Sequence, residues 1–122
     1  MKHSILIIED NEGLRETLCQ SLEEKGYAAK AVADGLEASK LLEKESFALV
    51  LTDMFMPEKD GFQVIREVRR THPKLPIVAM SGKGIVRKGE HLKVARIFGA
   101  QAVLMKPFSE KQLFATLKRL LG

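Results

Sequence analysis

A doubly wound α/β fold, (βα)5, built on a five-stranded parallel sheet, is predicted by three observations. Five short apolar runs recur along the 122 residues. Each is followed by a stretch whose apolar residues recur at helical spacing between capping and glycine signals. The runs are apolar on both faces, as strands must be in a sheet covered by helices on both sides. Strands joined by helical crossovers run parallel, and such crossovers are right-handed in nearly all proteins.

The elements follow in order. SILIIE (4–9) is the first strand, after which Asp10 and Asn11 open a helix carrying Leu14, Leu18 and Leu22 at four-residue spacing. Lys25-Gly26 closes it with a basic residue and a C′ glycine. YAAKAVA (27–33) is a weaker second strand. Asp34 and Glu37 have capping-box spacing, with Asp in place of Ser or Thr, for a helix carrying Ala38, Leu41 and Leu42. FALVLT (47–52) is the third strand. Asp60 and Gln63 then cap a helix with Phe62, Ile65 and Val68 inward. PIVAMS (76–81) is the fourth strand, and a Gly- and Lys-rich segment leads into a helix with Leu92, Ala95 and Phe98, ended by Gly99. QAVLM (101–105) is the fifth strand. Ser109 and Gln112 form a full capping box for a last helix with Leu113, Leu117 and Leu120 on one side.

Composition narrows the class. A chain 45% hydrophobic and 30% charged can bury a core without metal or disulfide staples, and its length suits one domain, residues 1–122. No apolar run approaches the roughly 18 residues of a membrane span. The start, MKHSILIIEDNEG, is too short and too quickly acidic for a secretory signal. The single cysteine, Cys19, excludes an internal disulfide and suits a reducing cytoplasm; it reads as a small packed side chain on a helix. The net charge of +4 is spread along the chain with acids interleaved, and one Tyr with no Trp offers little for stacking on bases. Direct nucleic-acid binding is therefore not expected.

Leu49, Val50 and Leu51 read as core, yet Asp53 stands at the tip of their strand. Parallel strands end on one edge of their sheet, and in open α/β sheets the ligand crevice lies on that edge. The residues predicted there are Glu9 and Asp10, Asp53, Ser81, and Lys106 just before Pro107. Two carboxylates about 4 Å apart repel by roughly 4 kcal/mol at an effective dielectric near 20. Three would raise one another's pKa values unless cations join them. Lys106 supplies one charge and a divalent ion two. Few carboxylates, with water completing the shell, suit Mg²⁺ better than Ca²⁺ or Zn²⁺. There is no HExxH and no Cys pair, and His3, His72 and His91 do not cluster. Mg²⁺ opposite a lysine makes an anion site for a phosphoryl group, whose transfer asks mainly for position and charge neutralisation. Glu9, Asp10 or Asp53 could accept the group as an aspartyl- or glutamyl-phosphate; the adjacent Glu9 and Asp10 look like a metal-holding pair, which leaves Asp53 as the nucleophile.

Glu9-Asp10, Asp53 with Met56-Pro57 and Asp60-Gly61 behind it, Ser81, Gly99-Ala100 and Lys106-Pro107-Phe108 occur in this order, each at its predicted structural place. In this the sequence resembles the receiver domains of two-component response regulators over residues 4 to 121. The resemblance implies the flavodoxin-like sheet of strand order 2-1-3-4-5. It implies a phosphoacceptor domain rather than a conventional enzyme, with only Mg²⁺-dependent self-phosphorylation and self-dephosphorylation. A histidine kinase or histidine phosphotransfer protein would donate the phosphoryl group to Asp53, and a downstream protein target would read the result. Glu9, acting through water, and Asp10 would hold Mg²⁺ with Asp53 and the backbone carbonyl of Phe55. Lys106 would pair with Asp53 and later with phosphoryl oxygens, and the Ser81 hydroxyl would report the modification. Lys106-Pro107 is expected to be cis.

Two departures stand out. The family's switch aromatic, three residues before the lysine, is Val103 here, so a rotating ring cannot carry the signal outward. The stretch between Ser81 and Gly99 is about three residues longer than usual and reads GKGIVRKGEHLK. It fails as a nucleotide cradle: Arg87 stands where the dinucleotide pattern needs Gly, and Glu90 where the Walker pattern needs Lys. Lys83, Arg87 and Lys88 make it a partner-docking candidate beside the site. Phe55 and Lys83 sit where this family tunes loss of the phosphoryl group, and bulky Phe55 is expected to obstruct the attacking water. Among rival readings, a haloacid-dehalogenase-like phosphohydrolase needs an acid at Phe55. A pseudo-receiver usually lacks one of the acids or the lysine. A flavodoxin needs a hydroxyl-rich loop where this chain has EDNEG.

Overall fold

The computed structural model describes residues 2–54, 61–82, 96–97 and 99–122. Five strands are present: β1 (Ser4–Ile8), β2 (Ala28–Val32), β3 (Leu49–Asp53), β4 (Ile77–Ser81) and β5 (Ala102–Met105). They form one parallel sheet in the order β2-β1-β3-β4-β5. The described helices are α1 (Glu12–Glu24), α2 (Gly35–Lys44), α3 (Gly61–Thr71) and α4 (Glu110–Leu121). The expected order 2-1-3-4-5 is the observed one.

Alternation along the strands explains the two-faced burial. Leu6, Ile8 and Val50 pack with Ala38 of α2 and Val64, Ile65 and Val68 of α3. Ile5, Ile7, Leu49 and Leu51 point the other way, onto Leu18 and Leu22 of α1 and Leu113 and Leu117 of α4. Each face of the sheet thus has its own apolar layer, and polar groups are pushed to the strand tips.

The capping signals operate largely as read. Asn11 accepts from Leu14 N, Asp34 from Glu37 N, and Ser109 forms the full box with Gln112. At α2 the reciprocal bond reaches one residue further back, from Ala33 N to Glu37 Oε2. Gly26 and Gly99 adopt φ of +94° and +80°, the left-handed conformation that ends a helix. Strand three is shifted from the expected 47–52 to Leu49–Asp53, because its pairing with β4 continues through Asp53↔Met80 and Met54 N reaches Met80 O at 3.0 Å. Asp53 is therefore inside the sheet. Of the expected fourth helix, Arg96 and Ile97 are helical, while Leu92, Ala95 and Phe98 lie outside the described residues, as does the Asp60 cap. Among the described residues, no helix is long and apolar enough to cross a membrane.

Candidate functional site

Register assembles the site. Ile8 pairs with Thr52, so Glu9 leaves β1 beside Asp53. Asp53 pairs with Met80, which places Ser81 one step ahead on β4, and Ser81 pairs with Met105, which brings Lys106 alongside. Lys106 N donates to Ser81 O at 2.8 Å. Four strand ends thus deliver the predicted residues to one edge.

One carboxylate oxygen from each of Glu9, Asp10 and Asp53 lies within 4.8 Å of the others. Glu9 is 1% exposed and Asp53 5%, whereas Asp10 faces solvent. The Lys106 ammonium donates to Glu9 Oε1 at 2.5 Å and lies 3.2 Å from Asp53 Oδ2. At 4.8 Å and an effective dielectric near 20, two carboxylates repel by about 3.5 kcal/mol, so one ammonium leaves the cluster short of neutral. Burial pushes the Glu9 carboxyl above its usual range, and the neighbouring Asp53 adds to this. The hydrogen bonds from Lys106 and Asn11 oppose it without cancelling it. Burial works against the Lys106 charge, but the Glu9 hydrogen bond and the Asp53 and Glu9 carboxylates outweigh it and hold the amine above its ordinary pKa. Lys106 therefore stays an ammonium.

The fourth element is an orphan. Ser81 is fully buried, and its hydroxyl has no hydrogen-bond partner among the described residues. Such groups are rare in native proteins and usually await a ligand, water or ion. The Lys106–Pro107 bond is cis, as expected. Phe55, whose carbonyl is the expected fourth metal ligand, lies outside the described residues, as do Lys83, Arg87, Lys88 and His91. Val103 is buried in the layer that holds α2 and α3, with no ring at that position.

Two further residues hold the site in ways the sequence does not assign to them. Arg15 is not among the sequence-predicted site residues, yet its side chain bonds the carbonyls of Glu9 and Asp10. Gly61 is part of the Asp60-Gly61 motif that carries the family resemblance; it is packed against Met54 and Asp53, and its N–H donates to Met54 O. Neither contact has a local sequence signal.

With this geometry in place, the chain can be set beside known proteins. The model of the response regulator receiver domain family matches residues 5–118. The sensor kinase CckA of Brucella abortus (strain 2308) is 34% identical over 97% of this chain and 12% of its own length. The response regulator MprA of Mycobacterium sp. (strain KMS) is 35% identical over 96% of this chain and 50% of its own length. The chain thus spans half or less of these curated relatives. The chemotaxis response regulator CheY4 of Vibrio cholerae superposes with a TM-score of 0.86 at 27% identity, covering 99% of this chain and 100% of that one. The receiver domain of sensor histidine kinase PA1611 from Pseudomonas aeruginosa PAO1, solved with a magnesium ion coordinated in the active site cleft, gives 0.84 at 28% identity over 98% of both chains. The chain belongs to the response regulator receiver domain family, the phosphoacceptors of two-component signalling.

Proposed function

We propose that Asp53 is the phosphoacceptor of this domain and that Glu9, Asp10 and Asp53 hold Mg²⁺, with the Phe55 carbonyl and water completing the shell. The observation that carries this reading is the convergence of three carboxylates within 4.8 Å with the Lys106 ammonium on Asp53. The donors fit the ion: all are hard oxygens, few enough to leave room for water, and exposed Asp10 offers a way in. A magnesium ion coordinated in the active site cleft of the similar PA1611 receiver domain supports the choice.

A histidine kinase or histidine phosphotransfer protein is the donor. An Asp53 carboxylate oxygen attacks the phosphorus of a phosphohistidine. The P–N bond breaks, and its electron pair stays on the imidazole nitrogen. Lys106 orients the attacking carboxylate and then balances the negative charge gained by the acyl phosphate. Mg²⁺ held by Glu9, Asp10 and Asp53 would supply two positive charges to offset the negative charge of the phosphoryl group. The Ser81 hydroxyl, without a partner among the described residues, can donate to a phosphoryl oxygen, which makes it the group that registers phosphorylation. With Val103 in place of an aromatic, the state is passed to a downstream protein without ring rotation. Small phosphodonors serve the same chemistry, and the phosphoryl group is later lost to water. Residues 1–122 act as one domain, and a single cysteine with no disulfide partner suits a reducing cytoplasm.

Intact mass after acetyl phosphate and Mg²⁺ tests this. The wild type should gain one phosphoryl group and Asp53→Asn none. Equal labelling of the two proteins would remove Asp53 as the acceptor.

A further inference from the structure

The chain leaves the sheet after Ile8 and enters α1 at Glu12, so the carbonyls of Glu9 and Asp10 lie past the strand and before the helix. Backbone acceptors in such a corner need partners from elsewhere. One side chain serves both: Arg15 Nη1 donates to Glu9 O at 2.9 Å and to Asp10 O at 3.3 Å. Arg15 is the fourth residue of α1, and its own N–H bonds Asn11 O at 2.9 Å, so the guanidinium folds back over the helix start. The rest of the corner is also tied down. Glu9 N donates to Val32 O at 3.1 Å, Asn11 N to Glu9 Oε2 at 3.0 Å, and Leu14 N to Asn11 Oδ1 at 2.9 Å. Arg15 forms no salt bridge with a described residue, so its hydrogen bonds there go to peptide oxygens of the two acids rather than to their carboxylates.

We infer that Arg15 is a positioning residue for the metal-holding pair: it fixes the two peptide units from which the Glu9 and Asp10 carboxylates reach toward Asp53. The inference rests on the proposed Mg²⁺ site. It makes a prediction opposite in sign to simple electrostatics. Removing a cation from beside a divalent-ion site should strengthen ion binding through reduced repulsion. Loss of an orienting contact behind metal ligands instead weakens binding, typically by about 10- to 100-fold.

The test is isothermal titration calorimetry with MgCl₂ at fixed ionic strength on wild type, Arg15→Met and Arg15→Gln, well below each protein's thermal midpoint. Arg15→Met should bind Mg²⁺ about 10-fold more weakly, and Arg15→Gln, with a shorter neutral donor, should shift the same way by less. Phosphorylation of Arg15→Met by acetyl phosphate should be slow at low Mg²⁺ and recover at saturating Mg²⁺, a pattern that general destabilisation does not produce. Should Arg15→Met fail to fold, Arg15→Gln decides. A folded variant that binds Mg²⁺ as tightly as wild type, or more tightly, overturns the role of Arg15 alone. Absence of binding heat from the wild type overturns the metal site and this role with it.

Discussion

Replacing Gly61 with Ala sets helix propensity against packing, and the two disagree in sign. Ala is favoured over Gly within a helix by about 1 kcal/mol, and Gly61 begins α3 without a left-handed φ, so propensity alone predicts a gain. Packing predicts a loss. A Cβ on Gly61 would stand 2.6 Å from Met54 Cα, 2.6 Å from Met54 Sδ and 2.7 Å from Asp53 O. Carbon atoms ordinarily rest about 3.5–4.0 Å apart, so the overlap is about 1 Å. Two of the three obstacles are backbone, which cannot rotate aside, and both Met54 and the strand that ends just before it are buried. Overpacking of this kind costs about 1–3 kcal/mol, and backbone obstacles argue for the upper end. Set against about 1 kcal/mol of propensity, the net loss is about 2 kcal/mol. At this size that lowers the thermal midpoint by about 8 °C. The relief must come from movement of the β3 tip, so acetyl phosphate labelling of Asp53, the proposed acceptor, should slow as well. Circular dichroism melts of Gly61→Ala beside Gly13→Ala make the comparison internal. Gly13 also lies in a helix, but its added Cβ would meet only the side chain of Asn11 at an ordinary 3.4 Å, so that variant should hold or gain stability. A Gly61→Ala midpoint at or above wild type would refute the packing argument.

The remaining predictions address the charges and the thiol. Mg²⁺ at 100 times its dissociation constant should add about 2.7 kcal/mol to wild-type stability, whereas Asp10→Asn should melt higher than wild type without metal and shift little with it; equal Mg²⁺-induced shifts would remove Asp10 from the ligand set. Arg69 Nη1 donates to Leu75 O at 2.6 Å, and Nη2 donates to Gln101 Oε1 at 2.8 Å, an oxygen that also accepts from Ile77 N. Arg69→Ala should cost about 2–3 kcal/mol in a urea melt and leave Mg²⁺ affinity unchanged, since Ile77 starts β4 at the edge opposite the site. Burial, helped by Glu23 and opposed by Arg15, pushes the Cys19 thiol above its usual range. Because thiolate is the reactive form, its alkylation by iodoacetamide at pH 8 should lag behind that of free cysteine and keep climbing at pH values where free cysteine has levelled off. A plateau at or below that of free cysteine would contradict the burial.

The sequence alone determined the fold class and that Glu9, Asp10, Asp53, Ser81 and Lys106 stand at one edge of the sheet. Both are written in local patterns: the alternation of Ile5, Leu6, Ile7 and Ile8 between two apolar layers, caps such as Ser109 with Gln112, and polar residues at strand tips, where parallel geometry sends them to one edge. Strand order needed more than pattern. Periodicity says that strands are parallel, not which lie side by side, and it was the family resemblance that supplied 2-1-3-4-5. Only the tertiary structure decided which acid is most desolvated, that Asp53 is a rung of the ladder rather than a loop residue, and that the Ser81 hydroxyl is left without a partner among the described residues. It alone brought Arg15 back onto the carbonyls of residues 9 and 10 and set Gly61 against Met54. The physical reason is one of range. Helix and strand periodicity and caps act over a few residues and leave a mark in the chain, whereas burial, orphaned polar atoms and close backbone approach depend on what the folded sheet places next to each group.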